Sequence, residues 1–337
     1  MFHHKIAIVG STGLVGRTVL KVLEEKNLPN CTYTLFSSSK SAGTKLTFMD
    51  TTYVICELKE DSFDQHFDYA IFCAGGTVSE KYAPIAAEKG CIVIDNSSVF
   101  RMDPLVPLIV PEVNPEKIQD HHGIIANPNC STIQAVVPLK PLAEKYGIKR
   151  IIYSTYQAVS GAGRAGILDL ENGREGNKPN KFPYSIVDNC LPHIDVFLPN
   201  GYTKEEMKMI NETRKILAKP DLPITATAVR VPIKNCHGES INVELEKEFD
   251  LYEIKQLLQN SPGILVVDDP EKNYYPLATK ANGTDDVYVG RIRRDESITN
   301  GLNFWVVADN LRKGAASNAV QILSTCLKTK SSPIIAE

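Results

Sequence analysis

The stretch KIAIVGSTGLVGRTVL, residues 5–20, decides the fold of the first part of the chain. It runs from an apolar, strand-like segment through glycines at GxxGxxG spacing into apolar residues at helical spacing. Glycines in such a turn let backbone N–H groups at the start of the helix approach a pyrophosphate, which is typical of dinucleotide-binding domains. A βα turn that binds no ligand has the same pattern, so Gly10, Gly13 and Gly16 define a candidate site.

The alternation of strand-like and helical segments continues through the first 130 residues. The segments CTYTLFS, YVICEL, DYAIFCAG and CIVIDNS are predicted strands, and SEKYAPIAAEKG is a predicted helix. Alternation of this kind indicates a parallel sheet with helices on both faces. We therefore predict an α/β, Rossmann-like dinucleotide-binding domain over residues 1–130.

The pattern changes after residue 130, where longer β-rich runs replace the alternation. KRIIYSTYQAVSG is a predicted strand, residues 164–200 are predicted to be rich in loops, and KEEMKMINETRKIL is a predicted helix. Four further runs favour a mixed or antiparallel sheet with one covered face: ITATAVRVPI, ESINVELEKEF, DDVYVGRIRRD and GLNFWVVADNL. We predict an α+β domain with a mixed sheet over residues 131–313, and a final helix, 314–330, that packs back on the first domain.

Composition argues against several functional classes. Of 337 residues, 43% are apolar and 23% charged, and the net charge is −3, so we expect neither a nucleic-acid surface nor a membrane-bound face. The eight cysteines form no CxxC pair and the N-terminus has no secretory pattern, so we expect a cytoplasmic protein with reduced thiols. The pairs His3–His4 and His121–His122 lack the spacing of metal ligands, and we predict no metal site.

The loop after the second predicted strand bears on which dinucleotide binds. NAD-binding domains usually place Asp or Glu here, where it accepts a hydrogen bond from the ribose 2′-hydroxyl. This chain has SSSKSAG, residues 37–43, with Ser38, Lys40 and Ser41 and no acid. Hydroxyls beside a cation suit a 2′-phosphate, so the loop favours NADP over NAD. A solvated polar loop would have the same composition.

A cysteine stands where a helix is predicted to begin. In NPNCST, residues 127–132, Cys130 separates a proline-led turn from the apolar run IQAVVPLKPLAEKYG. A helix N-terminus carries unpaired N–H groups and a partial positive charge, which favour a thiolate and could stabilise an oxyanion. A buried structural cysteine is the alternative. Beside a nicotinamide cofactor, a nucleophilic cysteine indicates aldehyde oxidation through a thioester.

With these elements in place, the chain resembles the aspartate-β-semialdehyde dehydrogenase family from end to end. NPNCST, QAVSGAG and DNSSVFRMD are the most specific matching segments. The others, in family order, are GSTGLVG, SAG at 41–43, CAGG at 73–76, VPEVN at 110–114, RVPI at 230–233, HGES at 237–240 and SNAVQI at 317–322. The resemblance implies a second domain like that of glyceraldehyde-3-phosphate dehydrogenase, a homodimer that could pair into a homotetramer, and a role in lysine (diaminopimelate), threonine and methionine biosynthesis.

The resemblance also implies roles at the reacting centre. Cys130 matches the family's nucleophile, Gln157 the residue that orients the reacting carbonyl, and His237 the general acid and base. An imidazole suits that role because it titrates near neutral pH. The implied substrate contacts are Arg230 for the α-carboxylate, Glu205 for the amino group, and Lys208, Arg101 and Asn129 for the phosphate.

The cofactor contacts that the resemblance implies lie in both domains. In the first domain they are Gly10, Thr12, Gly13, Leu14, Val15, Ser38, Lys40, Ser41 and Gly75. In the second domain and the final helix they are Ser160, Gly161, Gly163 and Asn318. We expect the active site to lie in the cleft between the two domains.

The implied reaction is NADPH-dependent reduction of β-aspartyl phosphate to aspartate β-semialdehyde, with release of phosphate, through a thioacyl intermediate on Cys130. One alternative is N-acetyl-γ-glutamyl-phosphate reductase, whose acetylated substrate has no ammonium to pair with Glu205. A second is a phosphorylating glyceraldehyde-3-phosphate dehydrogenase, disfavoured because no acid follows the second strand. A third is a non-catalytic NADP-binding paralogue, against which the intact Cys130, Gln157 and His237 argue.

Overall fold

The computed structural model describes residues 3–329. The chain divides into two compact units, of which the first ends at Pro128 and resumes at Ala315, and the second comprises Asn129–Gly314. Asn129 and Cys130, which the sequence analysis placed at the end of the first domain, group with the second unit. In the described part of the chain, no helix is both long and apolar enough to cross a membrane.

The first unit is built around a parallel sheet, and the predicted Rossmann-like fold is confirmed. Up to Pro128 its elements are β1 (His4–Val9), α1 (Leu14–Lys26), β2 (Cys31–Ser37), β3 (Lys45–Phe48), β4 (Thr51–Val54), β5 (Cys56–Glu57), β6 (Tyr69–Phe72), α2 (Gly76–Glu88), β7 (Ile92–Asp95) and β8 (Ile124–Ala126). The parallel strand order is β5–β2–β1–β6–β7–β8, while β3 and β4 form an antiparallel hairpin. The run YVICEL, predicted as one strand, is split at Ile55, whose N–H donates to the carbonyl of Thr44.

Burial explains the unbroken apolar run of β1. Ile6, Ala7, Ile8 and Val9 are fully buried, because the central strands of a parallel sheet are covered on both faces. The carboxyl ends of β1 and β6 lead through short glycine turns into α1 and α2. The starts of both helices therefore lie at the carboxyl edge of the sheet, the edge at which open α/β sheets bind ligands.

The second unit contains the predicted mixed sheet. Its elements are α3 (Cys130–Tyr146), β9 (Ile148–Gln157), α4 (Gly163–Gly173), α5 (Lys204–Ile216), β10 (Ile224–Arg230), β11 (His237–Leu245), α6 (Leu251–Gln259), β12 (Ile264–Val266), α7 (Ala278–Ala281), β13 (Val287–Asp295) and β14 (Gly301–Ala308). In the order β10–β9–β11–β14–β13–β12, the outermost pairs are parallel and the inner pairs antiparallel. Along β9, Thr155 and Gln157 are buried, whereas Tyr156 on the opposite face is 41% exposed.

The segment 164–200 was predicted to be loop-rich, and its first ten residues are an exception because they belong to α4. The helix is stabilised by contacts that are distant in sequence: Leu170 packs in a small core with Val159, Ile186 and Leu191. Asp169 fixes the loop that follows, since its carboxylate accepts three backbone N–H bonds from residues 180–182. Flanking glycines hide this helix from a propensity-based prediction.

The final helix, α8 (Ser317–Thr329), returns to the first unit. Ala319, Ile322 and Leu323 join the buried core that contains Ile6 and Ile8. The helix follows a π-helical turn over Arg312–Ala316, so its α-helical part starts three residues later than the predicted start at 314. Lys330, its predicted last residue, lies outside the described residues.

Candidate active site

Cys130 is the first residue of α3, at the helix end that the sequence predicts. The Asn129 side chain caps this helix, because its Oδ1 accepts hydrogen bonds from the N–H groups of Ser131 and Thr132 at 3.0 and 3.3 Å. These are two of the donors expected to stabilise an oxyanion, and the cap occupies both. Gly314 lies against the nucleophile, since a Cβ added to it would be 2.8 Å from Cys130 Cβ.

His237 opens β11 and contacts the cysteine. The side chain is fully buried, and Nε2 lies 3.2 Å from Cys130 Sγ. Nδ1 accepts a hydrogen bond from the Ala158 N–H at 3.0 Å, which leaves the ring proton on Nε2, facing the sulfur. Burial, together with the charge of Arg230, lowers the pKa of His237 to about 3. The imidazole is therefore neutral at physiological pH and presents its one N–H, on Nε2, to Cys130 as a hydrogen-bond donor.

Glu205, in the first turn of α5, is the centre of a buried hydrogen-bond network. Its Oε1 accepts from Asn129 Nδ2 at 2.9 Å and from Gln157 Nε2 at 3.3 Å, and its Oε2 accepts from Lys208 Nζ at 3.2 Å. Burial favours the protonated form, but Lys208, Asn129 and Arg230 outweigh burial and hold the pKa of Glu205 below its ordinary value. An ionised carboxylate in this position suits a substrate ammonium.

Lys208 joins Glu205 to a second carboxylate, Asp195, that the sequence analysis missed. Its Nζ lies 2.8 Å from Asp195 Oδ2 and 3.2 Å from Glu205 Oε2. Burial opposes the charge of Lys208, but the two carboxylates overcome burial and raise its pKa. Asp195 lies in the predicted loop region, where no periodic pattern marks a functional residue. Lys208 keeps the positive charge that a phosphate contact requires.

Arg230 ends β10, where its register partner is Gln157 at the end of β9. Nη1 donates to the Ala158 carbonyl at 2.7 Å, and Nε is buried with no hydrogen-bond partner in the described residues. Gly161 makes room for this side chain, since an added Cβ would be 2.8 Å from Arg230 Nη1 and 3.3 Å from His237 Cε1. A buried N–H without an acceptor is costly, so the guanidinium fits a ligand carboxylate.

The second unit thus brings most of the predicted catalytic and substrate-binding side chains close together. A thiol, a neutral imidazole that donates a hydrogen bond, an ionised carboxylate and a guanidinium together fit acyl transfer to sulfur from an amino-acid substrate. The group comprises Cys130, His237, Gln157, Asn129, Glu205, Lys208 and Arg230. Within residues 3–329, no cluster of three or more His, Cys, Asp or Glu side chains could hold a metal ion.

Arg101 and Asn318 lie in the first unit, where both bind neighbouring main-chain groups. Arg101 donates through Nε to the carbonyl of Asn127 and through Nη2 to that of Asn96, each at 2.9 Å. Asn318 Nδ2 donates to the Ile109 carbonyl at 2.9 Å and to Asn127 Oδ1 at 2.7 Å. The phosphate contact of Arg101 and the nicotinamide contact of Asn318 stay predictions.

The glycine turn after β1 has the shape that a pyrophosphate needs. Gly10 has a φ of 84°, which favours glycine, and a Cβ on Gly16 would lie 2.1 Å from the Gly10 carbonyl oxygen. Thr12 Oγ1 is 2.7 Å from Ser37 Oγ, so the turn is tied to the end of β2. The backbone is compact enough for close approach of a phosphate.

The starts of α1 and α2 are suited to bind an anion. Gly13 precedes Leu14 and Val15 at the start of α1, and Gly75, with a φ of 91°, precedes α2. Neither helix has a side-chain cap, so no side chain of the cap residue satisfies the first N–H groups. Uncapped helix starts at the carboxyl edge of a parallel sheet fit the phosphates of a dinucleotide.

The loop after β2 presents the residues predicted to select the cofactor. Ser38 and Lys40 are exposed and Ser41 is half-buried, in a turn closed by the Ser41 N–H donating to the Ser38 carbonyl at 2.9 Å. This placement leaves a hydroxyl and an ammonium accessible to a ligand at the edge of the sheet.

Asn310 is a further buried residue that the sequence analysis missed. Its Nδ2 donates to Ser160 Oγ at 3.0 Å, so the predicted cofactor contact of Ser160 has a hydroxyl already engaged. The neighbouring Gly163 has a φ of 74° and starts α4. No local pattern marks Asn310, because its partners are distant in sequence.

Two family models match the chain. The semialdehyde dehydrogenase NAD-binding domain matches residues 5–121, and the semialdehyde dehydrogenase dimerisation domain matches residues 139–313. The chain is 53% identical over 334 residues to an aspartate-semialdehyde dehydrogenase of Aquifex aeolicus, covering 96% of this chain and 98% of the relative. It is 48% identical to that of Bacillus subtilis, covering 96% and 97%.

Solved structures are similar over nearly the same length. Aspartate semialdehyde dehydrogenase II of Vibrio cholerae, complexed with ASA, superposes with a TM-score of 0.94 at 44% identity and covers 97% of this chain and 99% of that one. The Candida albicans enzyme with NADP superposes with a TM-score of 0.77 at 26% identity, covering 98% and 99%.

Proposed function

Because the chain belongs to the aspartate-semialdehyde dehydrogenase family, we propose that Cys130 is the nucleophile of that family's reaction and that NADP is the cofactor. The reaction interconverts β-aspartyl phosphate and aspartate β-semialdehyde through a thioacyl intermediate on the enzyme. One observation carries the proposal: Cys130 Sγ lies at a helix N-terminus, 3.2 Å from His237 Nε2. The charges around it match those of an aspartyl substrate.

Substrate recognition follows from the charges around Cys130. Arg230 binds the α-carboxylate, since its buried Nε has no acceptor in the described residues. Glu205 binds the α-ammonium, since surrounding donors keep it ionised. Lys208 binds the phosphate with a charge that two carboxylates maintain. Arg101 and Asn129 are further proposed phosphate contacts.

Catalysis in the biosynthetic direction begins when the Cys130 thiolate attacks the acyl carbon of β-aspartyl phosphate. The carbon–sulfur bond forms, the carbon–oxygen bond to phosphate breaks, and phosphate leaves with the bonding electrons. A reduced nicotinamide, when bound, would supply the hydride that reduces the thioester. His237 Nε2–H donates a hydrogen bond to the developing alkoxide and stabilises its charge until the carbon–sulfur bond breaks and the thiolate leaves. Gln157 orients the reacting carbonyl. In the reverse reaction, which oxidises the aldehyde, inorganic phosphate accepts the acyl group.

An aldehyde panel tests this function. We expect wild-type protein to sustain NADP reduction with aspartate semialdehyde only when phosphate is present, and Cys130→Ala to be inactive. Turnover of N-acetylglutamate semialdehyde instead would assign the acetylated substrate and leave Glu205 without a substrate ammonium to bind. Turnover by Cys130→Ala, or none by wild type despite bound NADP, would contradict the proposed mechanism.

The preference for NADP is supported by the loop after β2, where Ser38 and Lys40 are exposed and no acid is present. The solved Candida albicans relative also carries NADP. We expect Lys40→Ala to lower kcat/KM for NADP while leaving that for NAD nearly unchanged. Lys45→Ala, which removes an exposed lysine from the adjacent hairpin, is the matched control. A wild-type preference for NAD would refute this part of the proposal.

We assign the homodimer interface to the outer face of the second unit's sheet. This face carries a cavity of about 440 Å³, whose lining includes Tyr156, Tyr275, Leu277, Arg291, Arg293 and Trp305. Leu277 is 44% exposed, and apolar exposure of this kind marks an interface. Sedimentation should show a dimer that Leu277→Glu weakens and Val54→Glu, on the first unit, does not. An unaffected dimer would contradict the assignment, and a doubled mass would reveal a tetramer.

We also propose that the protein is cytoplasmic. All eight cysteines are free thiols, which is the usual state in a reducing compartment. Fractionation of the source cells, with immunodetection, tests this location.

A further inference from the structure

His237 follows a residue with an unusual backbone conformation. Cys236 has a φ of 73°, in the left-handed region that non-glycine residues rarely adopt. It is fully buried and packs in a small cluster with Ala281 and Val307. Because the conformation of one residue sets the direction of the next side chain, the position of the imidazole depends on this bend.

Asn310 holds the bend by a direct hydrogen bond. Its Oδ1 accepts from the Cys236 N–H at 2.9 Å, and its Nδ2 donates to Ser160 Oγ at 3.0 Å. The side chain is 3% exposed, so water does not compete for these bonds. The preceding residue, Asp309, is itself fixed by three backbone N–H groups. The Asn310 side chain thus links the turn after β9 to the turn before β11 through these two hydrogen bonds.

Backbone hydrogen bonds join the same two turns. The Val159 N–H donates to the Ile233 carbonyl at 2.9 Å, and the Ser160 N–H donates to the Lys234 carbonyl at 3.1 Å. The hydrogen bond from the Cys236 N–H to Asn310 extends this connection to the last residue before His237. The turn after β9 also supplies the Ala158 N–H that fixes the ring tautomer of His237. The alignment of the two turns therefore sets both the position and the tautomer of the imidazole.

We propose that Asn310 is a positioning residue, which keeps His237 Nε2 against Cys130 Sγ by holding Cys236 in the left-handed conformation. The proposal rests on the proposed catalytic roles of Cys130 and His237. Strained residues persist where the surroundings over-determine them, and they cluster at active sites. Asn310 provides such a contact to the strained residue Cys236, and it affects the imidazole of His237 through the backbone of Cys236.

The first test is Asn310→Ala, with turnover and the alkylation of Cys130 by iodoacetamide as readouts. A displacement of about 1 Å can cost on the order of 100-fold in rate, so we expect kcat to fall about 10- to 100-fold. The KM for phosphate should not change. The pH midpoint of Cys130 alkylation, followed by peptide mass spectrometry, should rise because the imidazole no longer donates to the sulfur. Unchanged kcat and midpoint would overturn the proposal.

Rescue by glycine separates positioning from general stabilisation. Glycine adopts the left-handed conformation without a steric penalty, so Cys236→Gly in the Asn310→Ala background should recover most of kcat and restore the alkylation midpoint. If Asn310 only stabilises the fold, removing a second buried side chain would make the double variant worse. A double variant no more active than Asn310→Ala would overturn the proposal.

If Asn310→Ala does not fold, variants of Cys236 test the proposal instead. Cys236→Val, with Asn310 intact, disfavours the left-handed conformation because β-branched residues rarely adopt it. It should reproduce the loss of kcat and the shifted midpoint, whereas Cys236→Ala should stay close to wild type. A wild-type profile for Cys236→Val would refute the proposal. Failure of the proposed function is separately visible, as turnover by Cys130→Ala.

Discussion

Replacing Glu205 by glutamine tests the proposal that this carboxylate binds the amino group of the substrate. The wild-type carboxylate accepts from Asn129, Gln157 and Lys208 at 2.9, 3.3 and 3.2 Å. Glutamine keeps one acceptor oxygen, but its NH2 group faces the Lys208 ammonium and it has no charge for the substrate. A hydrogen bond to a charged group contributes about 1.5–3 kcal/mol, which corresponds to a factor of about 10 to 150.

Initial rates with aspartate semialdehyde measure this effect. We expect kcat/KM for the aldehyde to fall by that factor in Glu205→Gln, while the Kd for NADP stays unchanged. Glu206→Gln is the matched control, because Glu206 is buried one residue along the same helix and accepts from the backbone N–H groups of Thr203 and Ala228. A wild-type kcat/KM in Glu205→Gln, or an equal loss in both variants, would refute the reasoning.

Three further changes test other parts of the structure. Gly161→Ala should lower kcat/KM for the aldehyde at least about tenfold, because its Cβ would be 2.8 Å from Arg230 Nη1; unchanged kinetics would contradict this. Gly16→Ala should weaken NADP binding in calorimetry, since its Cβ would lie 2.1 Å from the Gly10 carbonyl oxygen; an unchanged Kd would count against the predicted phosphate turn. Glu239 is fully buried, and burial raises its pKa well above 4.5, so the folded state keeps it protonated while the unfolded state ionises as pH rises past that value. The free energy of unfolding, measured with urea, should therefore be higher for Glu239→Gln than for wild type at about pH 8 but not at about pH 4. A difference between the two proteins that does not depend on pH would show that Glu239 is not buried in its neutral form.

Features that depend on neighbours in sequence were predictable. The turn from β1 to α1 follows from an apolar run and three glycines, and the place of Cys130 at a helix start follows from the segment around it. The loop that we propose to select NADP could be located because it follows a predicted strand. In each case the physical cause acts within about one helical turn or one strand, which sequence patterns record.

The assembly of the site could not be derived from local patterns. Cys130 and His237 are 107 residues apart and Asn129 and Glu205 are 76 apart, so only the family resemblance linked them. Asn310 and Asp195 lie in irregular segments and carry no periodic signal. The tautomer of His237 depends on a backbone N–H, a group that every residue except proline possesses.

The helix α4 shows the same limit for the fold. Its glycines predict a loop, but Leu170 finds apolar partners from residue 159 to residue 191. Tertiary packing of this kind overrides local propensity, and the sequence alone does not indicate which distant residues will meet.

A phosphate-free burst experiment tests directly whether Cys130 carries the acyl group. Wild-type protein, mixed with aspartate semialdehyde and NADP without phosphate, should form one NADPH per site in a rapid burst and then stop. Mass spectrometry should find the aspartyl group on Cys130, and added phosphate should restart turnover. Cys130→Ala should show no burst. A burst in that variant, or sustained turnover of wild type without phosphate, would contradict a thioester on Cys130.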